Sequence, residues 1–228
     1  MTGGVWYAAY GSNLSPRRFA FYLRGGRPPG TAHVYPGCLR PPSRLPAPRP
    51  LRVPGGVHFA GTSRVWGGGM AFFDPALPGT ALLTAYPLAP DRFLDVAAQE
   101  MHLPPGGGTG PRVSDLVPGR TLRLWPGRYG AVEVLGRIGG DPVVTLTHGG
   151  EPVGPASPPT SRYLAWIICG LVEVHRLDRS VIVRYLAGLP GIGRDAAVLD
   201  AEVRAAGHPD GAPLTPARAS DARARCTP

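Results

Sequence analysis

Val5-Trp6-Tyr7-Ala8-Ala9-Tyr10-Gly11-Ser12-Asn13-Leu14-Ser15-Pro16 is the stretch on which the reading of this chain turns. Val5–Tyr10 is short, aromatic and β-branched and stops at a glycine, which predicts a strand. Ser15-Pro16 predicts a helix start, with Ser as N-cap and Pro at the first helical position. Phe19, Tyr22 and Leu23 then follow at helical spacing. A strand therefore runs into Gly11-Ser12-Asn13, and a helix begins at once. Unpaired N–H groups at such a junction favour an anion, and Gly11 lets a ligand approach the backbone. The same pattern also suits an ordinary strand–turn–helix link, because Gly, Ser and Asn are common turn residues. One observation bears on the choice: Asn13 is the single asparagine of 228 residues.

Working outward, residues 24–56 are rich in Pro, Gly and Arg and predict mostly loop, with a strand near His33–Leu39. Val57–Val65 and Gly69–Phe73 predict strands about the turn Gly67-Gly68, and Ala81–Pro87 another. A helix starts at Pro90-Asp91 and runs to about Gln99. Pro104–Pro111 predicts a flexible insertion. Thr121–Trp125, Ala131–Arg137 and Val143–Thr147 predict further strands, and Pro152–Pro159 a linker. From Ser161 the period turns helical, through Asp178–Leu189 and Asp195–Ala206. Residues 1–206 are expected to form one domain. Residues 207–228, an Ala/Pro/Arg-rich tail without apolar periodicity, are expected to be disordered. The fold class expected is α/β of the α+β kind, a mixed curved sheet or small β-barrel with flanking helices.

Composition narrows the function classes. The 24 basic residues are all arginine, against 15 acidic, for a net charge of +9. Scarce Lys, Asn and Gln beside 33 glycines and 29 prolines resemble a GC-rich coding sequence, so the charge is not by itself a nucleic-acid footprint. No apolar run reaches the eighteen or so residues of a membrane span; the longest, Leu164–Val174, is broken by Glu173. The N-terminus lacks a basic region before an apolar one, and a cytoplasmic location is expected. Cys38, Cys169 and Cys226 are widely spaced, without the pattern of a disulfide framework or zinc site. Cys169, within an apolar run, is expected to be a buried thiol.

Tyr10-Gly11-Ser12-Asn13-Leu14 directly after an aromatic strand resembles the signature of the γ-glutamylcyclotransferase-like family. Gly69-Met70-Ala71-Phe72-Phe73 and Ala81–Pro87 are similar to that family's paired central strands. Leu88–Gln99 resembles the helix that ends at its catalytic glutamate, here Glu100. Tyr163 followed by Ile167-Ile168-Cys169-Gly170 resembles its late substrate-lining tyrosine and packing helix. The likeness spans roughly residues 5–190, with loops of different length. Where the family has an acidic-Gln-Glu-Gly context, this chain has Ala98-Gln99-Glu100-Met101, with the Pro/Gly-rich insertion following.

The resemblance implies an acyltransferase or lyase activity that turns a γ-glutamyl amine or peptide into 5-oxoproline and a free amine. The substrate's own α-amine attacks its side-chain carbonyl. Glu100 is the implied general acid/base, a role usually contributing about 10²–10⁴-fold. Tyr7, Ala8, Ala9, Tyr10, Gly11, Ser12 and Asn13 are the implied substrate-binding loop, closed on the other side by Tyr163. No metal or cofactor is implied, the partner is a small molecule, and neither a membrane nor nucleic acid is expected. Without the resemblance, Glu100 reads as a solvated charge at a helix end.

Other signals point elsewhere. Gly188-Leu189-Pro190-Gly191-Ile192-Gly193 between two helices resembles a helix-hairpin-helix turn, which can hold a DNA phosphate, and also reads as a plain helix–helix turn. Gly67-Gly68-Gly69 and Gly106-Gly107-Gly108 lack the setting and the lysine of a phosphate loop. His102 either lines the same pocket as Glu100 or is a surface histidine. A non-enzymatic binding module on the same fold, or an Arg-rich nucleic-acid-associated protein, are the alternatives to an enzyme.

Overall fold

The computed structural model describes residues 3–106 and 113–207. Its centre is strand β1 (Val5–Ala9). Four of its five residues are buried, on both faces, and such a strand needs partners on both edges and cover on both sides. They find them in β5 (Thr80–Leu88), antiparallel, with Tyr7 opposite Tyr86, and in β8 (Asp141–Thr147), parallel, with Tyr7 opposite Val144. The sheet extends outward to β2 (Arg49–Pro54) on one edge, and to β7 (Ala131–Ile138) and β6 (Thr121–Arg123) on the other, in the order β2-β5-β1-β8-β7-β6. A separate antiparallel ladder pairs β3 (Gly56–Ala60) with β4 (Met70–Asp74). The sheet is mixed and open, with β2 and β6 as its edges. Of the two forms expected, the mixed sheet is the one adopted and the closed barrel is not.

Five α-helices lie among the described residues. α1 (Pro16–Arg24) and α2 (Pro90–Glu100) cover one face, where Phe19, Tyr22, Leu23, Phe93 and Val96 pack with Val5, Tyr7 and Ala9. α3 (Ser161–Glu173), α4 (Arg179–Ala187) and α5 (Ala196–Gly207) cover the other, where Leu164, Ile167, Ile168, Ile182 and Leu199 pack with Ala8 and Tyr10. The period of two in β1 thus feeds two separate cores.

Several expectations are corrected. His33–Leu39 is no strand and contributes only the bridge Gly26–Tyr35. The strand of that region is Arg49–Pro54, concealed by its prolines; an edge strand tolerates them because one row of its N–H groups has no partner. The strand from Val57 stops at Ala60, short of Val65. Ser15 occupies the N-cap position, yet its side chain makes no capping bond, and its Oγ is buried without a partner. The last helix continues to Gly207, one residue past the expected domain boundary. The rest of the tail, and residues 107–112 of the insertion, lie outside the described residues. The Gly188–Gly193 turn is docked on β3: Phe59 N–H donates to the Pro190 carbonyl at 2.8 Å, and a Cβ on Gly191 would stand 2.1 Å from the Phe59 oxygen. That close packing is the role of a structural turn.

Candidate active site

Residues 12–14 form one 3-10 turn between β1 and α1, closed by Leu14 N–H to the Gly11 carbonyl at 2.9 Å. Two contacts hold it in place. The Tyr86 hydroxyl on β5 donates to the Asn13 carbonyl at 2.8 Å. On the other side α3 carries Gly170, where a Cβ would lie 2.4 Å from the Leu14 carbonyl carbon. Any other residue there would push the turn off the helix.

α2, packed beside α1 on the same face of the sheet, brings Glu100 to the same place. Its last turn is tied down by Gln99, the only glutamine of the chain. Gln99 Nε2 donates to the carbonyls of Tyr22 and Asp95, while its Oε1 accepts from Gly37 N–H. Asp95 accepts from the N–H groups of Leu39 and Gly106. The helix end is thereby braced against α1 and two loops, so the next residue is presented at a defined position. Glu100 Oε1 accepts from Asn13 Nδ2 at 2.9 Å and faces the Tyr7 hydroxyl at 3.5 Å.

These groups line a small cavity at the end of β1, formed by Tyr7, Ala9, Tyr10, Gly11, Ser12, Asn13, Ala71, Glu100, Tyr129, Leu146 and Tyr163. About 40 Å³ of it is open to the centre of a water-sized sphere. Of the nine residues expected from the sequence, eight are brought together here. Ala8 is the exception: it faces the opposite core with no exposed surface, because neighbouring residues of a strand point to opposite faces. Tyr129, Ala71 and Leu146 were not expected. Tyr129 donates to the Ala71 carbonyl at 2.7 Å and stacks on Phe72. It sits in a loop before β7 with no motif around it, so no sequence signal marks it.

Burial in this aromatic surround raises the Glu100 carboxyl above the ordinary 4.5. Hydrogen bonding from Tyr22, the charge of Arg18, and hydrogen bonds from Tyr7 and Asn13 pull it back part of the way. Arg18 is only 1% exposed and is caged by Tyr22, Tyr35 and Trp66, whose ring centres lie 5.0, 4.4 and 5.6 Å from its guanidinium carbon. Tyr163 stacks on that same Trp66. Its hydroxyl accepts from Ala71 N–H at 3.4 Å and from the Ser12 backbone, and burial raises its pKa well above that of free tyrosine. With two N–H groups pointing at its oxygen, the Tyr163 proton is left to donate elsewhere. Gly11 is required by this contact, since a Cβ there would lie 2.6 Å from the Tyr163 hydroxyl oxygen. Asn13 Oδ1 is buried with no partner, an acceptor without a donor.

Neither Cys38 nor Cys169 lines this cavity, and both thiols are buried, as expected for Cys169. Burial pushes them up to about 12 and about 11. Among the described residues no helix is long and apolar enough to cross a membrane.

No family model matches the chain. Among curated proteins, Histone deacetylase 5 of Arabidopsis thaliana is 30% identical over 208 residues, covering 80% of this chain. The match spans only 30% of that much longer protein. Among solved structures, an uncharacterized protein from Homo sapiens matches with a TM-score of 0.49 and 16% identity, over 89% of this chain and 99% of its own. A protein described as gamma-glutamyl cyclotransferase matches with a TM-score of 0.48 and 16% identity, over 88% and 98%.

Proposed function

We propose that the chain is a γ-glutamyl cyclotransferase that converts a γ-glutamyl amine or peptide into 5-oxoproline and the free amine. The observation that carries this reading is the meeting of Glu100 with the Gly11–Asn13 turn in one cavity, its carboxylate held by Asn13 at 2.9 Å. A carboxylate kept partly out of water, with a raised pKa, is suited to take a proton near neutrality and give it back.

The substrate's α-ammonium finds two acceptors side by side, Glu100 and the unpartnered Oδ1 of Asn13. Glu100 removes a proton from it, and the freed nitrogen attacks the γ-carbonyl carbon. A C–N bond forms and closes the five-membered ring, while negative charge grows on the carbonyl oxygen. The Tyr163 hydroxyl, whose own oxygen is engaged by two backbone N–H groups, is placed to donate to it. Collapse breaks the old amide C–N bond as the departing nitrogen takes the proton from Glu100; Glu100 then carries the second proton from the ring nitrogen to the freed amine, which leaves as an ammonium. Atoms and charge balance without water. The remaining advantage is proximity, since the cavity walls keep the glutamyl chain bent with amine and carbonyl in contact.

Incubating the protein with a panel of γ-glutamyl compounds while following 5-oxoproline tests this. Product from at least one compound, lost in Glu100→Gln, is the result expected. A ligand that binds in the cavity without turning over would instead make the chain a binding module.

A further inference from the structure

Arg18 is a cation that the proposed reaction does not touch, yet it is among the most deeply buried side chains of the molecule, at 1% exposed. It follows Arg17 on α1, which turns outward to pair with Glu173 at 2.7 Å. One residue on, the helix faces inward. Arg18 lies one turn before Tyr22, so the guanidinium is laid over that ring. Tyr35 and Trp66 complete the cage, and the Tyr35 hydroxyl accepts from Nη2. Nε and Nη1 are buried without a partner, and no carboxylate of the described residues lies within ion-pair distance of the group.

An arginine stays charged throughout the pH range of a folded protein, so it cannot escape burial by shedding a proton. Burying such a charge is costly unless something offsets it. Here the negative faces of three rings do so, and they hold the cation in place whether or not Glu100 is ionised.

The groups around Glu100 differ in charge. Tyr7 and Tyr10 face it from β1, Asn13 from the turn, Tyr22 from α1, Tyr35 and Tyr129 from loops, and Tyr163 from α3. Burial raises the pKa of every one of these phenols, so they stay neutral. Asp95, on α2 itself, is turned to the N–H groups of Leu39 and Gly106. On the outer side Arg64, His102 and Arg128 line a second, wider cavity that also borders Glu100, but they are open to water, which screens them. Among these groups Arg18 alone is both permanently charged and out of water.

We infer that Arg18 is a positioning residue of this site, the counter-charge that lets Glu100 carry a negative charge inside the protein. Tyr22 links the two: its ring lies under the guanidinium and its side chain hydrogen-bonds the Glu100 carboxyl. A cation on the ring face draws electron density from the phenol and makes it a better donor. Without that cation, the carboxyl in its aromatic surround would stay protonated and could not act as a base. The use of the charge in turnover rests on the cyclotransferase reading; the pairing does not.

The test reads Glu100 directly on the full chain. The protein has five glutamates, so labelling them with carbon-13 at Cδ gives five carboxyl signals, of which Glu100→Gln identifies one. In Arg18→Met the titration midpoint of that signal should rise by about one pH unit or more, the effect of taking an opposite charge from beside a carboxyl. Arg18→Lys, which keeps the charge, should return it most of the way. With the γ-glutamyl compound that turns over best, kcat/KM of Arg18→Met should fall about tenfold on the acid limb and recover as pH rises past the new midpoint. A lost packing contact would lower it equally at every pH. An unmoved Glu100 midpoint in a folded Arg18→Met variant overturns the inference, and so does a midpoint in Arg18→Lys that follows Arg18→Met. Arg18→Gln gives the same reading should Arg18→Met not fold. Loss of the fold in both makes Arg18 a structural residue and overturns the inference too. Absence of 5-oxoproline from every compound overturns only the cyclotransferase reading, because the titration does not depend on turnover.

Discussion

Glu100 stands between two cavities that treat charge in opposite ways. On the β1 side it meets tyrosines, an amide and a tight turn, all buried. On the far side it meets Arg64, Arg128 and His102, all open to water. The first environment makes ionisation costly and raises the proton affinity of the carboxylate, which is what the proposed acid/base role asks of it. The second is open to water and lined by cations that no carboxylate of the described residues neutralises. One residue at a helix end thus faces two surroundings of opposite character.

The largest effect expected on this comparison is from Glu100→Gln. The amide keeps the shape, and its oxygen can still accept from Asn13, so turnover should fall by about 10²–10⁴-fold, chiefly in kcat. The same variant should melt no lower than the parent at neutral pH. A carboxyl with a raised folded pKa contributes most to stability while protonated, and that contribution is lost as pH rises above 4.5 through the folded value. Substituting an uncharged side chain removes that loss. A large fall in melting temperature at pH 7 would show that the carboxylate is needed to hold the fold.

Next comes Gly11→Ala. Its Cβ would meet the Tyr163 hydroxyl at 2.6 Å, and the displaced tyrosine should cost turnover about 10²-fold. Combining it with Tyr163→Phe tests the cause: the double variant should be no worse than Tyr163→Phe alone, because the clash and the hydroxyl disappear together. Clearly additive losses would place the harm elsewhere in the turn.

Asn13→Ala should act more mildly, at about 10–100-fold in kcat/KM, the range for a hydrogen bond to a charged group. It also has a signature in pH. The Asn13 hydrogen bond lowers the Glu100 pKa, so its loss should move the acid limb of the kcat/KM profile upward. An unmoved limb with reduced rate would assign Asn13 to substrate binding alone.

The smallest effect lies away from the site and has the opposite sign. His175, just past α3, is pushed down to about 4 by burial. Its folded state binds fewer protons than the unfolded chain, so stability is lost as pH falls from about 6.5 to about 4. His175→Gln should flatten thermal melting across that window without changing activity at pH 7. If the slope persists, other groups carry the acid response.

How far the sequence could be read depended on whether the information was local. The strand–turn–helix at Val5–Pro16 was legible because strand period, turn chemistry and a helix-starting proline coincide within twelve residues. Arg49–Pro54 was missed because its prolines suppress the local strand signal, and only pairing with β5 makes it a strand. Ala8 was wrongly placed with its neighbours, since a motif names consecutive residues whereas a strand exposes alternate ones to a site. Ser15 was misjudged as a capping side chain, because the preceding 3-10 turn changed the geometry a cap depends on.

By itself, then, the sequence determined the mixed α+β class and the Gly11–Asn13 turn, which rest on residues close together in the chain, whereas Glu100 was a candidate only through the family resemblance. Only the tertiary structure decided that Asn13 bonds Glu100 across 87 positions, that Tyr129 shares their cavity, and that Arg64, His102 and Arg128 gather on its far side. The reason is physical. Local patterns determine backbone conformation, but the burial that raises the Glu100 pKa and the unpaired charges beside it are products of packing between distant segments, which no local pattern encodes.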